Sequence, residues 1–277
     1  MPRYDLHTHS THSDGLLTPA ALVERAAQHA VDVLALTDHD EVSGLAEAAA
    51  AAARTSITLV PGSEISVTWE RQTLHVVGLR IDPQCRTLVD GLEAVRSGRT
   101  ARARRMADSL AEAGIGGAWD GAMRYVTSER LISRTHFARF LVESGHAREV
   151  GDVFKRFLTP GKPGYVPHAW ATLSDAVHWI SAAGGQAVLA HPGRYPLSPT
   201  AMRRLLGEFR DAGGAAIEVI SSSHTREESE TYAALARAHG LLASCGSDFH
   251  GPSESRLELG QLPDMPAGVE PVWRDWS

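Results

Sequence analysis

Apolar and polar positions along the chain alternate between two patterns. Short, nearly uncharged apolar runs read as buried strands: "YDLHTH" from Tyr4, "VDVLALTDHD" from Val31, "ITLVPGSEISV" from Ile57 and "TLHVVGLRI" from Thr73. Between them lie helical segments. "TPAALVERAAQHA" offers Thr18 as N-cap and Pro19 as first helical residue, with an apolar stripe behind. The Ala-rich "SGLAEAAAAAART" is a helix by propensity. The rhythm returns with "SDAVHWISAAGG" (helix), "QAVLAHPG" (strand), "PTAMRRLLGEFRDAGG" (helix), "AAIEVIS" (strand), "REESETYAALARAHG" (helix) and "LLASCGSDFH" (strand). Such alternation predicts an α/β fold, a parallel sheet or barrel with helices outside.

The middle departs from that rhythm. Between Leu88 and Val166 no strand is predicted, only the helical segments "LVDGLEAVRSGRTARARRMADSLAEAG", "SRTHFARFLVESG" and "REVGDVFKRFL". Gly and Pro then mark "TPGKPGYVP" as a return loop. We expect a barrel domain at 1–95 and 166–277 carrying a helical insertion, a second small domain, at 96–165. The C-terminal "LPDMPAGVEPVWRDW" is irregular, and Trp273 and Trp276 read as packing residues.

Composition narrows the function classes. A net charge of −6 over 277 residues argues against a broad surface for long duplex DNA, but leaves room for a short anionic substrate in a local pocket. Cys85 and Cys245 make neither a disulfide framework nor a Cys-x-x-Cys zinc motif. No apolar run reaches membrane-spanning length, and "MPRYDLH" has no hydrophobic signal region. The expectation is a reduced, cytoplasmic enzyme without a membrane partner.

The polar residues then change the picture. His7 and His9 are two apart on a strand and face one way. Asp14 lies in the loop that follows. His39, Glu64, His191, Asp248 and His250 each follow an apolar strand, where parallel α/β folds collect their functional groups. This imidazole–carboxylate set without thiol suits Zn²⁺, Mn²⁺ or Fe²⁺, and its eight members are enough for two or three divalent ions sharing bridging carboxylates. Closely spaced metals of this kind serve phosphoester hydrolysis.

Together "HTHSTHSDG", "LTDHD", "GSE", "AHPGRY" and "GSDFH" resemble the PHP (polymerase and histidinol phosphatase) family. The resemblance implies a distorted (β/α)₇ barrel with a trinuclear metal centre, Mn²⁺ ahead of Fe²⁺ or Zn²⁺. One ion would be held by His7, His9, Glu64 and Asp248. A second would share Glu64 and add His75 and His191, and a third would take Asp14, His39 and His250. His75 enters only through the resemblance, since it sits early in its strand. "SRTHFARFL" and "PGKPGYVP" bring the chain nearest the branch of 3′,5′-nucleotide bisphosphate phosphatases and 5′-to-3′ exoribonucleases acting on short RNA. The implied chemistry is in-line attack on phosphorus by a metal-bridging hydroxide. Arg134 with His136, and Arg194, would bind phosphate, and His224 or a metal-bound water would assist the leaving group. His12 reads as loop support, Asp38 and Asp40 as carboxylates orienting imidazoles, and Cys245 as inert. Arg99, Arg102, Arg104 and Arg105 form a basic run read mainly as a solvated face. Two rival classes are another phosphomonoesterase, such as a histidinol phosphatase, and a non-catalytic metal-binding regulatory module. The first needs an acidic pocket for an amine, where the insertion offers Arg and His; the second predicts gaps among the ligands.

Overall fold

The computed structural model describes residues 2–276. Seven strands make one sheet in sequence order: β1 (Tyr4–Asp5), β2 (Val33–Leu36), β3 (Thr58–Trp69), β4 (Gln72–Leu79), β5 (Gln186–Leu189), β6 (Ala216–Ser221) and β7 (Leu242–Gly246). The sheet curls until its ends meet. Leu6 N–H donates to Cys245 O across 3.0 Å, and Thr8 bridges Phe249 in parallel. Gly246 permits this seam, because a Cβ there would stand 2.2 Å from His7 Cβ. Inside the barrel pack Leu6, Ala35, Val60, Val77, Leu79, Val188 and Ala216. Trp273 stacks on Tyr4 at 4.1 Å and Trp276 Nε1 donates to Gln186, so the irregular C-terminus packs against the N-terminal ends of these strands.

Helices α1 (Pro19–Gln28), α2 (Leu45–Ala52), α3 (Arg86–Ser97), α8 (Leu173–Ala182), α9 (Pro199–Asp211) and α10 (Arg226–His239) cover the outside. Their ends follow from local chemistry. The Thr18 side chain accepts from Ala21 N–H ahead of Pro19. Thr225 and Glu228 form a reciprocal capping box on α10, which stops at Gly240 with φ +64°.

The sheet is not wholly parallel, a correction to the simplest reading of the alternation. β4 runs antiparallel to both β3 and β5. No helix separates β3 from β4; Glu70 and Arg71, both at positive φ, make a two-residue hairpin turn. β4 therefore starts at the rim where its parallel neighbours end. His75, early in β4, pairs with Ser66 and accepts Ala190 N–H at its carbonyl, one residue before His191.

Between β4 and β5 the chain forms α4 (Arg99–Glu112), α5 (Ala118–Met123), α6 (Arg134–Glu143) and α7 (Val150–Val153), the last continued by a π-helical turn to Leu158. Met106, Leu110, Phe137, Leu141 and Leu158 share a hydrophobic cluster separate from those under the barrel helices. α3, by contrast, buries Leu88, Leu92 and Val95 against the barrel cluster. Among the described residues no helix is long and apolar enough to cross a membrane.

Candidate metal centre

One rim of the barrel gathers nine side chains from the sequence reading: His7, His9, Asp14, His39, Glu64, His75, His191, Asp248 and His250. His7 and His9 extend past β1, His39 follows β2 and bridges to Glu64 on β3, and Asp248 and His250 follow β7. Asp248 and His191 both sit at positive φ, a conformation that turns the chain sharply as it leaves the strand.

Glu64 is the hub, fully buried. Its Oε2 lies 3.2 Å from His7 Nε2, 3.3 Å from His9 Nε2 and 2.9 Å from His39 Nδ1. Its Oε1 lies 2.8 Å from His75 Nδ1 and 3.0 Å from His191 Nε2. Asp248 Oδ1 lies 3.4 Å from His7 Nε2 and 3.0 Å from His9 Nε2. Asp14 Oδ1 faces His250 Nε2 at 3.2 Å and His39 Nε2 at 3.7 Å.

These spacings fit bound cations. Donors about 2.1 Å from one ion stand about 3.0 Å apart in an octahedral shell and about 3.4 Å apart in a tetrahedral one. His7, His9, Glu64 and Asp248 show that spacing and bring their donor atoms within 4.8 Å of one another. The donor atoms of His9, Asp14, His39 and His250 likewise lie within 4.8 Å of one another, as do those of His39, Glu64 and His75. Hydrogen bonding accounts for only part of the cluster, the contacts of His9 Nε2 with Asp248 and of His191 Nε2 with Glu64. His7 Nε2, Asp14 Oδ1, His39 Nδ1, Glu64 Oε2 and His75 Nδ1 are buried without a hydrogen-bond partner. Each such atom costs roughly 1–3 kcal/mol unless something else satisfies it. Electrostatics point the same way: burial would raise the Glu64 carboxyl, yet His75, His7 and His39 hold it well below the usual carboxylate range.

The orienting carboxylate is Glu218, which the sequence reading passed over. His7 Nδ1–H donates to Glu218 Oε1 at 2.6 Å, which leaves the Nε2 lone pair aimed at the cluster. The other oxygen accepts His191 N–H at 2.6 Å. The signal was available: Glu218 is the one charge in the wholly buried strand "AIEVIS", and a buried acid needs partners.

Asp38 and Asp40 do different work from the imidazole orientation expected of them. Asp38 accepts from Ser10 N–H, Ser10 Oγ and Ser13 Oγ, closing the His9–Asp14 loop. Asp40 accepts from Ser66 N–H and pairs with Arg99. His12 contacts Ser43 Oγ at 2.8 Å, as loop support. Buried Cys245 donates to the Tyr4 carbonyl.

The expected phosphate contacts divide. Arg194 is exposed at the rim, its guanidinium 2.5 Å from Asp248 Oδ2. Arg134 opens α6, its guanidinium 5.4 Å from the Phe154 ring; burial depresses its pKa and Arg99 adds to the effect. The basic run splits, correcting the solvated reading for half of it. Arg104 and Arg105 are exposed, while Arg99 and Arg102 turn inward. Arg102, pushed down to about 9 by burial and by Arg134 and Arg99, faces Trp170 and donates to the Val166 carbonyl.

Two residues of the expected substrate set make hydrogen bonds within the protein. His136 is fully buried, and its Nδ1 accepts Ser133 N–H in the capping box of α6. Its Nε2 is buried without a hydrogen-bond partner. His224 Nε2 accepts Gly193 N–H, so Nδ1 carries the proton and donates it to Val219 O. With both nitrogens bound to backbone and its pKa lowered by burial, His224 braces the His191 turn and has no proton to give a leaving group.

The model of the PHP domain matches residues 5–222. The chain belongs to the PHP family. It is 53% identical over 275 residues to a 3′,5′-nucleoside bisphosphate phosphatase from Chromobacterium violaceum, covering 99% of this chain and 96% of that one. It is 47% identical over 276 residues to the 5′-3′ exoribonuclease Rnm of Salmonella typhimurium, covering 99% and 94%. A solved Chromobacterium violaceum structure, described as an amidohydrolase with bound sulfate and no metal, superposes with a TM-score of 0.96 at 53% identity, covering 98% and 95%.

Proposed function

We propose that this PHP protein is a metal-dependent phosphohydrolase that removes the 3′-phosphate from nucleoside 3′,5′-bisphosphates and trims short 5′-phosphorylated RNA. The observation that carries this reading is the convergence of unpaired imidazole and carboxylate atoms on Glu64, with Arg134, Arg99 and Arg102 close enough to one another to depress the Arg102 pKa. The phosphatase and exoribonuclease relatives, each matched over nearly their whole length, support it. Removing a 3′-phosphate and cutting the terminal 3′,5′ linkage are the same displacement at one phosphorus.

His7, His9, Glu64 and Asp248 would hold one ion, Glu64 with His75 and His191 a second, and Asp14, His39 and His250 a third. We propose Mn²⁺ for all three and the cytoplasm as the site of action. Bound cations supply a water nucleophile at neutral pH and neutralise the phosphoryl oxygens. Arg194 lies against Asp248 and is placed to take a non-bridging oxygen. Arg134, with Arg102 beside it, holds the phosphate that is not cleaved. Glu218 keeps His7 in the tautomer that ligation needs.

The histidinol phosphatase reading fares worse, because an amine would meet the cluster of Arg99, Arg102 and Arg134. The test compares turnover of adenosine 3′,5′-bisphosphate, a 5′-phosphorylated RNA dinucleotide and histidinol phosphate by Mn²⁺-loaded protein. The first two should react and the third should lag by at least tenfold. Preference for histidinol phosphate overturns the substrate, and inertness toward all three leaves the regulatory module.

A further inference from the structure

The ligands fall into two groups by what holds them. His7 and His191 are fixed from inside the barrel, through Glu218 on β6. Asp14, His39 and His250 lie on loops that the helical segment between β4 and β5 grips. Ser133, the N-cap of α6, donates from Oγ to Asp14 Oδ2 at 3.1 Å. Six residues further along, Arg139 donates from Nη2 to the Asp14 carbonyl at 2.5 Å. The same guanidinium forms a two-point pair with Glu254, Nε to Oε1 at 2.7 Å and Nη2 to Oε2 at 2.8 Å. Glu254 belongs to the turn that begins at His250, whose N–H donates to Ser255 Oγ at 2.7 Å. On α4, Arg99 pairs with Asp40, the residue after His39.

From these contacts we infer that the helical segment completes the outer metal site, the one formed by Asp14, His39 and His250, with Ser133 and Arg139 as positioning residues. This rests on reading the rim as a metal centre. The physical argument is the burial of Arg139. Its side chain is 5% exposed, and a buried guanidinium persists only when paired and hydrogen-bonded. Satisfying it pins the Asp14 backbone and the His250 turn at one distance. Ser133 takes up the outward oxygen of Asp14, which leaves Oδ1 for the face shared with His39 and His250. Arg134, the neighbour of Ser133, is the residue proposed above to hold the uncleaved phosphate, so one short helix end would connect that phosphate to the outermost ion.

The test is Mn²⁺ binding by the full chain, measured by equilibrium dialysis with elemental analysis and needing no turnover. Wild type should bind in steps, the weakest equivalent last. Ser133→Ala and Arg139→Lys, verified as folded by circular dichroism, should weaken that last equivalent about 10–100-fold, the usual effect of losing an outer partner of a ligand. The tighter equivalents should not move, and Ser133→Thr, which keeps the hydroxyl, should restore the weak step. Glu218→Gln should do the reverse and weaken the tight equivalents. Wild-type isotherms in both variants, or equal weakening of every equivalent without rescue by threonine, overturn the inference. A wild type that never takes the outer equivalent instead removes the three-ion reading, and this inference with it.

Discussion

Replacing Glu218 by glutamine changes one atom and separates two jobs. The carboxylate accepts from His7 Nδ1–H and from His191 N–H, each at 2.6 Å. Glutamine has one acceptor oxygen. If that oxygen faces His191 N–H, the amide NH₂ meets His7 Nδ1 and forces the ring proton to Nε2, the atom that must ligate. If the amide flips, two donors confront each other at the His191 turn. Either way one bond to a charged acceptor is lost, worth roughly 1.5–3 kcal/mol. At about 1.4 kcal/mol per decade this is about a 10–100-fold loss of metal affinity, in line with the general effect of removing such a partner. The assay is Mn²⁺ titration of the metal-free protein, followed by bound metal and by phosphate release. Turnover at saturating Mn²⁺ should recover much further than turnover at limiting Mn²⁺. An unchanged binding isotherm in folded Glu218→Gln protein would refute the tautomer argument.

Three further outcomes follow from other parts of the structure. Arg134→Ala should lower kcat/KM for adenosine 3′,5′-bisphosphate by about one to two powers of ten while barely affecting an aryl phosphate, which has no second phosphate to hold; equal losses on both would place Arg134 at the reacting phosphorus instead. Burial holds His136 down to about 4 against its ordinary 6.5, so the unfolded chain binds an extra proton between those values and stability falls as pH drops through the window, by about 3 kcal/mol. His136→Gln, which can keep the capping bond to Ser133, should flatten that slope in denaturant unfolding from pH 7 to pH 4, and parallel slopes would contradict it. Gly246→Ala should open the β1–β7 seam, because the new Cβ meets His7 Cβ at 2.2 Å and His7 N at 3.0 Å; thermal melting should drop by several degrees along with metal affinity, and a wild-type melt would count against the seam.

The clustering of these side chains at one rim was legible because a strand end is a simple address. His7 and His9 share a parity, and His39, His191, Asp248 and His250 each follow an apolar run. His75 was not legible from that rule, since the rule assumes parallel strands. A Glu70–Arg71 turn at positive φ carries no glycine or asparagine to announce the hairpin that reverses β4. Glu218 was hidden by the opposite error: a charge inside a buried strand was passed over although it demanded a partner. The roles of Asp38, His136 and His224 depend on hydrogen bonds to backbone across turns, and sequence spacing does not report those. The same holds for Arg139, whose partner Glu254 is 115 residues away. Of the run from Arg99 to Arg105, helical spacing alone could have told the inward Arg99 and Arg102 from the outward Arg104 and Arg105 once the apolar face of α4, Met106 and Leu110, was taken as a guide.

The central claim is a reaction at the 3′-phosphate carried out by the Glu64-centred metal site, and product analysis tests it most directly. Adenosine 3′,5′-bisphosphate is incubated with Mn²⁺-loaded protein, with chelator-treated protein, and with metal-replete Glu64→Ala, and the nucleotide products are separated. The account predicts adenosine 5′-monophosphate and one equivalent of phosphate from the first, and unchanged substrate from the other two. Adenosine 3′-monophosphate as product, or equal turnover after complete metal removal or in Glu64→Ala, would contradict it.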